Sequence, residues 1–236
     1  MWISQLFPRH QVDTLTSFID TISTPNPHRR QRPAKDKTTM PPHPDDDPRS
    51  SKPRAHTSAG ATHPQSQNHH NKPSPIDFEL FDPHNLLTHQ DHANINAWVH
   101  AVFAHLNASG SVRAKVVNDD QMSIAHQQFS GIPHTTDVLT FDLSDHPVTD
   151  PRLPEHSAPI ILDTDVIICI DEAKRQAAAL NHSPAHELLL YIIHGTLHCL
   201  GYNDHTTQDF NTMHTKEDEL LTAAGIGPLF HRKPNP

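Results

Sequence analysis

The stretch SPAHELLLYIIHGTLHCLG (residues 183–201), continued by YNDH (202–205), decides how the rest of the chain is read. Ser183 offers an N-cap oxygen. Pro184 suits the first helical position, where no N–H is needed, and Gly201 supplies a stop. Between them the apolar residues run nearly all the way round, which predicts a buried helix at the centre of a fold. His194 and His198 stand four apart, so their imidazoles project from one face, one turn apart. That spacing suits two ligands of one zinc ion. Beyond Gly201 the chain turns and brings Asp204 and His205 back past the helix end. A third ligand from that turn leaves a fourth position open, the arrangement of catalytic rather than structural zinc.

The chain holds 23 histidines, so spacing and setting must carry the metal reading. The pair is flanked by Leu, Ile and Tyr, where two unpartnered imidazoles would be costly to bury. A zinc peptidase helix would read H-E-x-x-H, with the glutamate as general base. Gly195 stands in that place, which weakens a peptidase reading.

Outward from this helix, strands and helices alternate. Residues 92–110 place Ile95, Val99, Val102, Phe103 and Leu106 on one helical face, with Gly110 as the stop. VRAKVV (112–117) alternates as a strand does, and residues 119–131 read as a helix opened by an aspartate cap and closed by Gly131. Residues 135–144 and 158–170 are rich in β-branched residues and read as strands, the second with a break near Asp163. Residues 171–182 and 206–225 read as helices, the last with Phe210, Met213, Leu220 and Leu221 turned inward. The expected fold is one small α+β domain, residues 76–228, with a four-stranded mixed sheet packed by helices. Residues 229–236 are expected to trail as a tail.

The N-terminal third differs in composition. Residues 25–75 contain no Val, Ile, Leu, Phe, Trp or Tyr. Such a segment cannot offset an ordering cost of roughly 1–2 kcal/mol per residue, so residues 1–75 are expected to be a disordered Pro/His-rich extension. Its first two dozen residues lack a secretory signal, and no run of about 18 apolar residues predicts a membrane span. Cys169 and Cys199 sit in apolar surroundings and read as free buried thiols, which suits a reducing cytoplasm. The net charge of −9 divides into +4 for residues 1–75 and −13 for residues 76–236. An acidic domain opposes nucleic-acid binding unless a local basic cleft or the basic cluster at 28–37 overrides the average.

HGTLHCLGYNDH (194–205) resembles the H-G-x-L-H-L-x-G-Y-D-H signature of the YbeY family of bacterial endoribonucleases and ribosomal RNA maturation factors. HTTDVLTFDL (134–143) resembles the family's P-T-D-V-L-S-F strand, and DTDVIICIDEAKRQA (163–177) its G-D-I-V-I-S strand and following helix. The resemblance spans residues 80–226. It implies a metalloprotease-like, zincin-related fold and one zinc ion held by three signature ligands, with no organic cofactor. It further implies metal-assisted cleavage of single-stranded RNA in 16S rRNA 3′-end maturation and small-subunit quality control. The implied partners are rRNA and the small ribosomal subunit with its proteins, and the implied location is the cytoplasm, away from membranes.

Two positions depart from the family. Its third ligand falls six residues after the second histidine, which here is Asp204, not His205. Spacing through to Met213 favours Asp204, with His205 as the alternative. The family carries an arginine shortly before the T-D-V strand, and Ser130 stands in its place. A cation there would hold a phosphate or developing charge on phosphorus, whereas serine brings one hydrogen bond and no charge. Arg113, Lys115 and His134 are the nearby candidates to replace it. Asp137 reads either as a residue of the cleft or as a strand-end cap. Two other functions fit the same residues: a non-catalytic ribosome-assembly factor with a structural metal, and a metal hydrolase with a substrate other than RNA.

Overall fold

A computed structural model of the protein describes residues 5–8, 75–145 and 160–230. In chain order the elements are β1 (Gln5–Pro8), β2 (Asp77–Phe81), α1 (His89–His105), β3 (Ala108–Val117), α2 (Asp119–Ser130), β4 (Val138–Asp142), β5 (Ile160–Cys169), α3 (Ile170–Leu180), α4 (Pro184–Cys199) and α5 (Thr207–Ala223). Four strands from the folded part make the expected mixed sheet, and β1 extends it, giving the order β1-β4-β5-β3-β2. Only β4 and β5 pair antiparallel; the other neighbours are parallel.

Strand alternation divides the core between the two faces of the sheet. Val112, Ala114, Val116, Val138, Val166 and Ile168 point to one side, where α1, α4 and α5 pack. Val117, Leu139, Phe141, Ile167 and Cys169 point to the other, against Met122 and Ala125 of α2. Helix α4 is buried along most of its length, as its unbroken apolar surface requires. Its start is as expected: the Ser183 hydroxyl accepts from the Ala185 N–H at 3.1 Å and Pro184 is the first helical residue.

Several expectations are corrected. β5 runs without a break at Asp163. Asp163 and Asp165 lie on one face of the strand, and Arg113 on neighbouring β3 grips both, Nη2 to Asp163 at 2.6 Å and Nε to Asp165. The guanidinium thus compensates two carboxylates that look like strand breakers in isolation. Gly110 does not end α1, which stops at His105. It lies within β3 at φ +102°, where a Cβ would fall 2.1 Å from the Leu162 carbonyl oxygen. Only glycine permits that approach. The cap of α2 is Asn118, paired with Gln121 in a capping box, rather than Asp119. Phe210 is 41% exposed rather than buried in the core.

The ends of the chain also differ from expectation. Gln5–Pro8 is a strand, not part of a disordered extension: Phe7 is buried and stacks on Phe141 at 5.0 Å. The edge of β4 offers this segment both backbone partners and an apolar seat. The remainder of the expected extension within residues 9–74 lies outside the described residues. Leu229 and Phe230 are not a trailing tail either. Both backbone N–H groups are held by Asp218 Oδ1, at 2.7 and 3.0 Å.

Candidate metal centre

His194 and His198 occupy the last two turns of α4, with their rings perpendicular and their Nε2 atoms 3.2 Å apart. Each ring is fixed through its other nitrogen. His194 Nδ1–H donates to Glu217 Oε1 on α5 at 2.7 Å, and His198 Nδ1–H donates to the Tyr202 carbonyl at 3.0 Å. With both Nδ1 hydrogens placed, each ring, when neutral, aims an Nε2 lone pair at the other. Two lone pairs facing each other repel unless a proton or a metal cation lies between them. Two nitrogens at about 2.0–2.1 Å from a tetrahedral ion would stand about 3.3 Å apart, so the observed separation fits one ion.

The turn after α4 supplies a third donor. A carboxylate oxygen of Asp204 and the two imidazole nitrogens all lie within 4.8 Å of one another. Among the described residues this is the one such convergence of three His, Cys, Asp or Glu side chains. His205 points away: its side chain is 84% exposed, against 17% for Asp204, and its Nδ1 stands 3.9 Å from Asp204 Oδ1.

Electrostatics act in opposite directions on the two imidazoles. Burial, and then the neighbouring His194, push the His198 pKa down to about 4, so its nitrogen is unprotonated at neutral pH. Burial, the largest single influence, opposes charge on His194, but the hydrogen bond to Glu217 and the charges of Glu217, Asp137 and Asp204 together outweigh it and raise its pKa, so a metal there competes with a proton. For Glu217, burial opposes ionisation, and hydrogen bonds from His194 and His214 overcome it, so the carboxylate is held below its usual range. Glu217 and His214 were not singled out in the sequence. The only signal is an H-x-x-E spacing on α5, weak in a chain with 23 histidines.

Gly195 has a physical reason. A Cβ there would lie 2.3 Å from Thr140 Oγ1 and 3.2 Å from Val166 Cγ1. The helix rests directly on β4 and β5 at this turn, so a glutamate in that position would drive into the sheet. Asp137 is the strand-end cap: its Oδ1 accepts from the Val138 N–H at 2.7 Å and from the Thr136 hydroxyl at 2.9 Å. Its charge also reaches His194.

The candidate phosphate-binding groups are placed less favourably. Ser130 ends α2, across the sheet from α4, and its Oγ is buried without a hydrogen-bond partner among the described residues. Arg113 is committed to Asp163 and Asp165, Arg175 to Asp119 and Glu172, and Lys174 to Asp171. Lys115 is 3% exposed. His134 is exposed in the loop before β4, and its carbonyl accepts from His126 Nδ1 at 2.6 Å. Arg152, a further cation of residues 76–236, lies outside the described residues.

The family model described as Endoribonuclease YbeY matches residues 83–225, a span that includes α1 through α5 and all three converging donors. The chain belongs to the YbeY family. It is 34% identical to the Endoribonuclease YbeY of Lactiplantibacillus plantarum over 118 residues, 49% of this chain and 74% of that protein. It is 29% identical to that of Geobacillus thermodenitrificans over 153 residues, 64% of this chain and 97% of that one. For the Bacillus subtilis protein the identity is 33% over 115 residues, 49% and 73% of the two chains. The YbeY match leaves β1, β2 and the Leu229–Phe230 segment outside it. Among the described residues no helix is long and apolar enough to cross a membrane.

Proposed function

We propose that this chain is a zinc-dependent endoribonuclease specific for single-stranded RNA, acting in 16S rRNA 3′-end maturation and small-subunit quality control. Its partners on this reading are rRNA and the small ribosomal subunit, and its location is the cytoplasm. The observation that carries the reading is the convergence of His194 Nε2, His198 Nε2 and an Asp204 oxygen on one point, within a chain of the YbeY family. Those three residues would hold the ion, with His205 outside the set, and α4 would be the metal-bearing helix of a zincin-related fold. A zinc ion bound there supplies Lewis acidity towards a phosphoryl oxygen and makes a water nucleophilic near neutral pH. The protein's own part is to orient both imidazoles through Glu217 and the Tyr202 carbonyl, and to keep His198 unprotonated.

The test is cleavage of a single-stranded RNA by the full chain, with and without a chelator, beside His194→Ala. Metal-restorable cleavage absent from the variant supports the proposal. Cleavage that survives both chelation and His194→Ala contradicts it.

One observation favours a second reading. Arg113, Lys174 and Arg175 are already paired with carboxylates, and Ser130 brings no charge. An assembly factor that keeps the metal for structure would need no cation on a phosphate. The basic cluster at 28–37 would supply the missing charge on the nuclease reading. RNA binding without cleavage by the metal-loaded full chain would decide for the assembly factor.

A further inference from the structure

Glu217 is completely buried, and both of its oxygens are used. Oε1 takes the His194 Nδ1 hydrogen at 2.7 Å, and Oε2 takes the His214 Nδ1 hydrogen at 2.5 Å. A carboxylate held at one oxygen can still rotate, whereas one held at both has a single orientation. His214 is itself buried, and its Nε2 finds no hydrogen-bond partner among the described residues. Its polar contact is therefore spent on Glu217. Two aromatic rings enclose the imidazole: Phe210 edge-on at 3.9 Å and Phe230 stacked at 3.9 Å with 24° between the planes.

Phe230 is brought there by Asp218. This buried carboxylate, next in sequence to Glu217, accepts from the Leu229 and Phe230 N–H groups. Adjacent acidic residues of one helix thus have separate tasks. Glu217 faces His194, and Asp218 ties down the segment that follows the helix. The contacts run without a gap from Asp218 through Phe230, His214 and Glu217 to His194.

We propose that the segment after α5 is a strut of the metal centre, with Phe230, His214 and Glu217 acting as positioning residues for His194. The proposal rests on the metal reading above. Groups that orient a ligating histidine and fix its tautomer typically change metal affinity by about 10–100-fold when removed. Loss of Phe230 frees His214 to turn, and with it the second anchor of Glu217. The strut lies partly outside the YbeY match, which ends at residue 225.

The experiment is zinc affinity of the full chain by competition with a chromophoric chelator, together with thermal unfolding of the metal-free protein. Wild type, Phe230→Ala, Phe230→Leu and Glu217→Gln are compared. Expected is zinc binding weakened about tenfold or more in Phe230→Ala and Glu217→Gln. Phe230→Leu, which keeps an apolar cap, restores most of the affinity. A structural role alone would lower metal-free stability and leave affinity in the folded protein unchanged. Asp218→Asn, which loosens the segment while keeping Phe230, carries the same expectation should Phe230→Ala fail to fold. Wild-type affinity in folded variants overturns the strut alone. A folded wild-type chain that binds no zinc overturns the metal reading and the strut with it.

Discussion

The Nε2 atoms of His194 and His198 face each other at 3.2 Å, with both Nδ1 hydrogens already committed to Glu217 and to the Tyr202 carbonyl. On the metal reading, the pair is set for a cation before one arrives. Zinc should therefore bind the folded state more tightly than the unfolded one, and so raise stability. With free zinc at about a hundred times its Kd the gain is at most about 2.7 kcal/mol, less whatever the unfolded chain's histidines bind. Thermal unfolding with and without zinc measures it. His194→Ala should show no zinc-dependent shift.

Gly195 lets α4 lie on the sheet. Gly195→Ala should destabilise despite the better helix propensity of alanine, because the methyl group meets buried Thr140 and Val166. Overpacking costs about 1–3 kcal/mol, and the propensity gain returns up to about 1. Urea unfolding should show a net loss of up to about 2 kcal/mol. Gly195→Glu, which restores the peptidase pattern, should fail to fold rather than gain a proteolytic base.

Both cysteines are buried and free. Burial pushes the Cys169 thiol up to about 11 and the Cys199 thiol up to about 12. Neither forms thiolate near pH 8, so both should resist an aromatic disulfide reagent in the native protein. Two thiols per chain should react once guanidinium unfolds it. Rapid reaction of either thiol in the native state would show that its site opens.

Arg175 holds Asp119 through two hydrogen bonds and lowers its pKa to about 2, from an ordinary value near 3.9. A depressed carboxylate stabilises the fold above its unfolded pKa and loses that contribution as pH falls through the folded one. The pair's contribution should therefore be complete above about pH 4 and absent below about pH 2. Both side chains are more than a third exposed, which limits it to about 0–1 kcal/mol. Arg175→Ala should cost that much at pH 7 and nothing at the acid end, by urea titration across the range.

The elements were legible where their signals are local. Ser183, Pro184 and the apolar run that follows define α4 from within its own sequence, and the His194–His198 spacing follows from helical periodicity. What could not be read depends on partners distant in the chain. Asp163 and Asp165 look like a strand break until Arg113 appears beside them on β3. Gly110 reads as a helix stop, although the constraint on it is the carbonyl of Leu162. Gln5–Pro8 becomes a strand because β4 has an open edge. Glu217 and His214 belong to the site through packing of α5 on α4, which no spacing within α5 announces. Asp204 and His205 are adjacent and both are able ligands, so sequence does not show that Asp204 is the one whose oxygen lies within 4.8 Å of both imidazole nitrogens.

The most direct test is the zinc content of the purified full chain by mass spectrometry, beside Asp204→Ala and His205→Ala. The expected result is about one zinc per chain in the wild type and in His205→Ala, with loss in Asp204→Ala. A folded wild-type chain without zinc, or loss in His205→Ala with retention in Asp204→Ala, would contradict a centre built from His194, His198 and Asp204.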